Sequence, residues 1–259
     1  MTKNITYNII WIFVIATLVG CNCNCIDKSL LNESETYVIV QGTWGGSWCY
    51  KEVDSLLTAK EHIVYRPSLT GLGERVHLSS PDIGLNTHIL DVVNTILYED
   101  LTDIILVGHS YGGTIISGVA DSIPHRIKKL IYVDAIFPKD GEHCFQYTNK
   151  ERMEWYKSIT KNGLIYPPWV KEGQKPPKDV PHPLKTRTDT ISLKNPLAIE
   201  IPLVYIFLYE EGTDPKEKWT FRYAQRAKER DGKIYELTGD HNIHRTAPET
   251  WVDILLKEQ

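Results

Sequence analysis

Apolar residues in this chain follow two alternating patterns. Short β-branched runs recur at residues 37–40 (Tyr-Val-Ile-Val), 63–65, 104–107 (Ile-Ile-Leu-Val), 130–133, 203–207 and 233–236. These runs are continuous rather than alternating apolar with polar, which is how strands covered on both faces of a parallel sheet read. Between them lie stretches with helical spacing. Residues 87–97 place Ile89, Val92, Val93, Ile96 and Leu97 on one face. Residues 48–60, 111–122 and the strongly charged 217–229 fit helices too. A last helix is announced by Thr246, Pro248 and Glu249 as cap, first-turn proline and capping box, with Trp251, Ile254 and Leu255 facing inward. The βαβ order predicts an α/β architecture: a mostly parallel sheet, right-handed crossovers and helices on both faces.

Two stretches break the rhythm. Residues 137–201 are too long for a simple connection and are rich in Pro and aromatic side chains. They read as a cap inserted over the C-terminal edge of the sheet, within which residues 171–183 fit order and disorder equally. The other stretch is the N-terminus. Its first twenty residues carry one charge, Lys3, ahead of an apolar run from Ile9 to Gly20. A membrane-spanning helix needs about 20 apolar residues, so this shorter run fits the core of a secretory signal peptide. The junction Leu18-Val19-Gly20-Cys21 resembles the lipobox of bacterial lipoprotein precursors. The expected organisation is a signal peptide over 1–20, lipid attachment at Cys21, a tether over 21–35 and one catalytic domain over 36–259. The expected location is the cell envelope, with the lipid as the contact to the membrane; plain secretion is the alternative.

Composition changes this picture little. Apolar residues make up 42% and charged residues 24%, an ordinary globular balance. A net charge of −4 gives no reason to expect a nucleic-acid partner. Five cysteines are too few for a disulfide scaffold. Cys23 and Cys25 lack the further Cys or His residues that would complete a metal site, so no metal is expected. Nothing in the sequence speaks to oligomeric state.

The chemistry is concentrated at Leu106-Val-Gly-His-Ser-Tyr-Gly-Gly113, a G-x-S-x-G motif that ends an apolar strand and opens a helix. In that setting the serine, Ser110, is held at the top of the sheet as a nucleophile, with free helix N–H groups behind it. A serine hydroxyl needs a base. Only His241 and His244 follow the last strand, and His241, in Thr238-Gly-Asp-His-Asn242, is the expected base; His244 reads as an ordinary surface residue. The acid that orients the base is expected after the fifth strand, where Glu210, Glu211 and Asp214 lie. Asp214 is favoured, with Asp134, at the end of the fourth strand, as its rival. The oxyanion hole is expected from the backbone N–H groups of Tyr111 and of Thr43, in the glycine-rich loop Gln41-Gly-Thr-Trp-Gly-Gly46. Trp44 and Trp48 are expected to wall an apolar substrate pocket.

At these residues the chain resembles the α/β-hydrolase superfamily, and more narrowly bacterial carboxylesterases of the pyrethroid-hydrolase type, relatives of plant methylesterases and hydroxynitrile lyases. The resemblance rests on Gly42-Thr-Trp-Gly-Gly-Ser-Trp48, Leu69-Thr-Gly-Leu-Gly-Glu-Arg75, Pro81-Asp-Ile-Gly-Leu-Asn-Thr-His88, the turn around Ser110, Tyr132-Val-Asp-Ala135, and His241 with Thr246-Ala-Pro-Glu249. It implies an α/β-hydrolase fold of about six strands and ester hydrolysis without metal or cofactor. Three departures stand out. Gln41-Gly42 replaces the usual His-Gly, and Asp240-His241-Asn242 replaces a common Gly-His-Asp. Asn242 and Gly42 also stand where hydroxynitrile lyases carry Lys and Thr, which argues against lyase chemistry. The expectation is a serine esterase acting on small-molecule esters with apolar groups. A ligand-binding protein with little turnover, and acyl transfer or thioester hydrolysis on the same triad, are the alternatives.

Overall fold

The computed structural model describes residues 34–259. The expected signal peptide, the lipid site at Cys21 and all but the end of the tether lie outside the described residues.

Six strands form one sheet at the expected positions: β1 (Thr36–Val40), β2 (Ile63–Tyr65), β3 (Ile104–His109) and β4 (Ile127–Val133) come first in the chain. Three two-residue strands follow, β5 (Thr160–Lys161), β6 (Leu164–Ile165) and β7 (His182–Pro183), and then β8 (Leu203–Tyr209) and β9 (Lys233–Thr238) complete the large sheet. Its order is β2-β1-β3-β4-β8-β9, and every pairing in it is parallel. Each central strand carries an unbroken apolar run because its two faces feed two different cores. Val38, Val40, Leu106, Leu130, Tyr132, Tyr205 and Phe207 point to one apolar cluster, and the intervening Tyr37, Ile39, Val107, Ile131, Val133, Ile206 and Leu208 to the other. That alternation is the period-two geometry of a strand acting on a sheet with no solvated face.

Helices α1 (Lys51–Thr58), α2 (Leu85–Tyr98) and α3 (Gly112–Ser122) lie in the first half, and α7 (Phe221–Glu229), α8 (Ile243–Thr246) and α9 (Pro248–Lys257) close the second, with α4 (Lys150–Ser158), α5 (Lys185–Thr188) and α6 (Leu197–Glu200) between them. The first core takes Ile89, Val92 and Ile96 of α2, Ile115, Ile116 and Val119 of α3, and Tyr223 and Ala227 of α7. The second takes Val53 and Leu57 of α1 and Trp251, Val252 and Leu255 of α9. Burying each such side chain stabilises the fold by roughly 1.5–3 kcal/mol, so helix positions are set by these faces rather than by caps. The expected capping box at Thr246 does not form. Residues Ile243–Thr246 make a helical turn of their own, and the Thr246 hydroxyl donates back to Asn242 O at 3.4 Å.

The long insertion contains α4, β5–β7, α5 and α6. Strands β5 and β6 pair antiparallel across Asn162-Gly163, both with positive φ (50° and 74°), the geometry of a type I′ hairpin. Residues 171–183 are an ordered connection: Val180 N donates to Trp44 O at 3.0 Å, and His182 is fully buried.

The sheet order also fixes where a ligand can sit. From β1 the chain moves outward to β2, then crosses back to β3 on the other side of β1. The loops after β1 and β3 therefore diverge and leave a crevice at the C-terminal ends of the strands.

Candidate active site

Ser110 stands in that crevice, one residue past β3 and two before α3. Its φ is +55°, in the left-handed region that costs a non-glycine residue about 1–3 kcal/mol. The surrounding backbone holds it there: Ser110 N donates to Val133 O at 3.2 Å, and Ser110 O accepts from Gly113 N and Ile136 N at 3.2 and 3.0 Å. The turn closes only because position 112 is glycine. A Cβ there would stand 2.5 Å from Val40 O, inside any real contact.

The Ser110 hydroxyl donates to His241 Nε2 at 3.0 Å, and His241 Nδ1–H donates to the carboxylate of Asp134 at 2.6 Å. Asp134 is fully buried and also has positive φ (41°). Its backbone N–H is bonded to Ile206 O at 2.7 Å, its other carboxylate oxygen accepts the Thr220 hydroxyl, and Lys218 Nζ lies 3.5 Å away. Burial alone would push this carboxyl up. The His241 hydrogen bond and charge, Lys218 and Thr220 outweigh it and hold Asp134 below the usual carboxylate range.

The expected acid, Asp214, is elsewhere. It is exposed, and its carboxylate accepts Lys216 N at 2.9 Å as the cap of a short 3-10 turn. Asp134 takes the position against His241 because it follows β4 directly, whereas Asp214 lies five residues beyond the end of β8 on a surface turn.

His241 is held from behind. His109 donates from Nε2 to His241 O at 2.8 Å and accepts the Tyr50 hydroxyl at Nδ1 at 3.0 Å. Burial lowers its pKa to about 3, so it stays neutral. His244, read from sequence as a surface residue, is buried, 4.8 Å ring to ring from His109.

The two expected oxyanion donors flank the nucleophile. Among the hydrogen bonds of the described residues, neither the Tyr111 nor the Thr43 N–H has an acceptor within the protein. Gly42 brings the loop against the serine: a Cβ on it would stand 3.0 Å from Ser110 Cβ and 3.2 Å from His109 Nδ1. Gln41 fills the place of the usual His and braces this loop through Nε2–H to Gly45 O at 3.0 Å.

The cavity over Ser110 measures about 1020 Å³. Trp44 lines it and anchors the cap, donating from Nε1 to Ile165 O at 2.9 Å, stacking on Tyr156 and meeting Trp169 edge-on at 4.9 Å. Trp48 does not line the cavity; its ring lies under the Arg245 guanidinium, 5.0 Å away. Sequence reasoning passed over Trp219, whose ring stands 5.8 Å from that of His241, and Arg187, which bonds Thr43 from the cap. No motif marks either residue; only the folded insertion and the turn before α7 bring them to the site.

Comparison with known proteins agrees with the fold. A family model described as the alpha/beta hydrolase family matches residues 37–254. A carbendazim hydrolyzing esterase of Nocardioides sp. is 48% identical over 106 residues, covering 41% of this chain and 44% of that protein. A pyrethroid hydrolase of Sphingobium wenxiniae is 35% identical over 106 residues, covering 40% and 37%. The aligned stretches thus span less than half the length of these relatives. Among solved structures, an extracellular alpha/beta-hydrolase from a Paenibacillus species, described as homologous in structure and function to tobacco Salicylic Acid Binding Protein 2, superposes with a TM-score of 0.74 at 25% identity. It covers 86% of this chain and 98% of that one.

Proposed function

The chain belongs to the alpha/beta hydrolase family, and on that footing we propose that it is a serine esterase that cleaves carboxylic esters through an acyl-enzyme. The unbroken hydrogen-bond line from Ser110 through His241 to buried Asp134 carries this reading. Ser110 Oγ attacks the ester carbonyl as His241 Nε2 takes its proton. Asp134 holds the imidazole in the Nδ1–H tautomer and stabilises the imidazolium that forms. The Thr43 and Tyr111 amides receive the oxyanion. His241 then protonates the leaving alcohol, and a water activated by the same ring releases the acid. The names of the relatives, a carbendazim hydrolyzing esterase, a pyrethroid hydrolase and several methylesterases, support an ester as substrate, and the aromatic wall at Trp44 and Tyr156 supports apolar groups on it.

The test is hydrolysis of p-nitrophenyl acetate by the wild type and by Ser110→Ala, with phosphonate labelling located by mass spectrometry. Label on Ser110 and loss of turnover in the variant are expected. Turnover that survives in Ser110→Ala overturns the reading. The lipobox-like junction supports a second proposal, lipidation at Cys21. Radiolabelled palmitate should enter the wild type expressed in a bacterial host and be absent from Cys21→Ala.

A further inference from the structure

Arg187 is 7% exposed, yet it has no carboxylate partner among the described residues. The one hydrogen-bond partner of its side chain is the Thr43 hydroxyl, and its buried Nε has none. The guanidinium otherwise rests on aromatic faces, 4.8 Å from the Phe145 ring centre and 5.3 Å from that of Tyr156. The other cations on the cavity wall are solvated or compensated: Arg152, Lys216 and Arg222 are exposed, Arg245 faces Asp179 at 3.4 Å, and Lys218 faces Asp134 at 3.5 Å. A guanidinium offers five donors and is never neutral in proteins. Burying one without an anion is unfavourable, and cation–π contacts offset only part of that. The group also lines the cavity beside the loop expected to receive the acyl oxygen. An incoming anion there would gain charge-assisted hydrogen bonds in a site already desolvated.

We propose that Arg187 is a specificity-determining residue that binds a carboxylate on the acyl part of the substrate, so that the preferred esters are monoesters of short dicarboxylic acids. This rests on the esterase reading. The acyl carbonyl oxygen lies against the Thr43 amide, and Arg187 reaches the side chain of that same residue. A second carboxylate a few bonds further along the acyl chain therefore meets the guanidinium. Hydrolysis releases the dicarboxylic acid and the alcohol, and Ser110 is regenerated.

The experiment compares monomethyl glutarate with methyl valerate, a neutral ester of similar length, in wild type, Arg187→Met, Arg187→Lys and Thr43→Val. Charge-assisted hydrogen bonds predict a loss of roughly 10- to 100-fold in kcat/KM for the half-ester in Arg187→Met, with the neutral ester little changed. Arg187→Lys should keep part of the preference. Thr43→Val, which cuts the Arg187 bond and leaves the charge, should keep it too. Equal losses on both esters in Arg187→Met, or a wild type that does not favour the half-ester, overturn the proposal. A binding arm separates it from the esterase reading. Glutarate should raise the melting temperature of the wild type and of Ser110→Ala, and leave Arg187→Met and its own melting point unmoved. Arg187-dependent glutarate binding without Ser110-dependent turnover of any ester would sink the esterase reading and keep the subsite. Glutarate that shifts Arg187→Met as much as the wild type overturns the subsite.

Discussion

The ring of His109 donates a hydrogen bond to the backbone carbonyl of His241 at 2.8 Å, so the residue that precedes Ser110 holds the loop that carries His241. Because Tyr50 holds the far nitrogen of the same ring, the tautomer is fixed with the proton on Nε2. Ser110 and His241 are thereby referenced to each other through β3 as well as through their direct bond.

Replacing His109 with Ala removes that reference. Misplacing a base by about 1 Å costs on the order of 10²-fold in rate. His109→Ala should therefore lower kcat by roughly 10- to 100-fold with KM nearly unchanged, read by steady-state kinetics on p-nitrophenyl acetate. A change confined to KM would assign His109 to substrate binding instead.

Asp134 and Asp214 give opposite expectations. Asp134→Asn removes the carboxylate that orients His241 and should lower kcat by about 10³- to 10⁴-fold. Asp214→Asn changes an exposed cap on a surface turn and should leave kcat close to wild type. If Asp214→Asn is the damaging one, the arrangement at His241 is not the working one.

Gly42 packs against Ser110. The added methyl of Gly42→Ala would meet Ser110 Cβ at 3.0 Å and press loop and nucleophile apart. The expected outcome is a fall of roughly 10- to 100-fold in kcat with the far-UV circular dichroism spectrum intact. Wild-type kcat in this variant would mean that the loop yields without effect on the chemistry.

Acid should destabilise the protein well above the carboxylate range. Burial holds His88 to about 4 and His109 to about 3, against about 6.5 in the unfolded chain. Between those values the unfolded chain binds protons that the folded chain does not. Stability is thus complete above about pH 6.5 and falls below it, by ~1.4 kcal/mol per pH unit for each such histidine. Urea unfolding at several pH values between 7.5 and 5 measures this, and a flat profile would show that these rings accept protons without unfolding.

The sheet was legible because both of its faces are buried, so every central strand contains an unbroken apolar run. Ser110 was legible because its turn needs glycine two residues before and after it, and His241 because few histidines follow the last strand. The acid was not. Asp134 and Asp214 follow β4 and β8, which are neighbours in the sheet, and sequence does not say which loop turns inward. The pairing does, through the bond from Asp134 N to Ile206 O. The β5–β6 hairpin had a signal that went unread, Asn162-Gly163. The burial of His244 and the position of Arg187 had none, since both depend on contacts between segments far apart in the chain.

Trp44 joins two parts that have separate tasks. Its backbone belongs to the oxyanion loop, next to Thr43, while its ring, its indole N–H and its amide N–H are held by the cap at Tyr156, Ile165 and His182. Any displacement of the cap at these three residues would be passed to the backbone beside the Thr43 amide. The expected consequence is a mechanical tie between cap and loop, so that hydrogen exchange at residues 42–45 and 163–184 should rise and fall together.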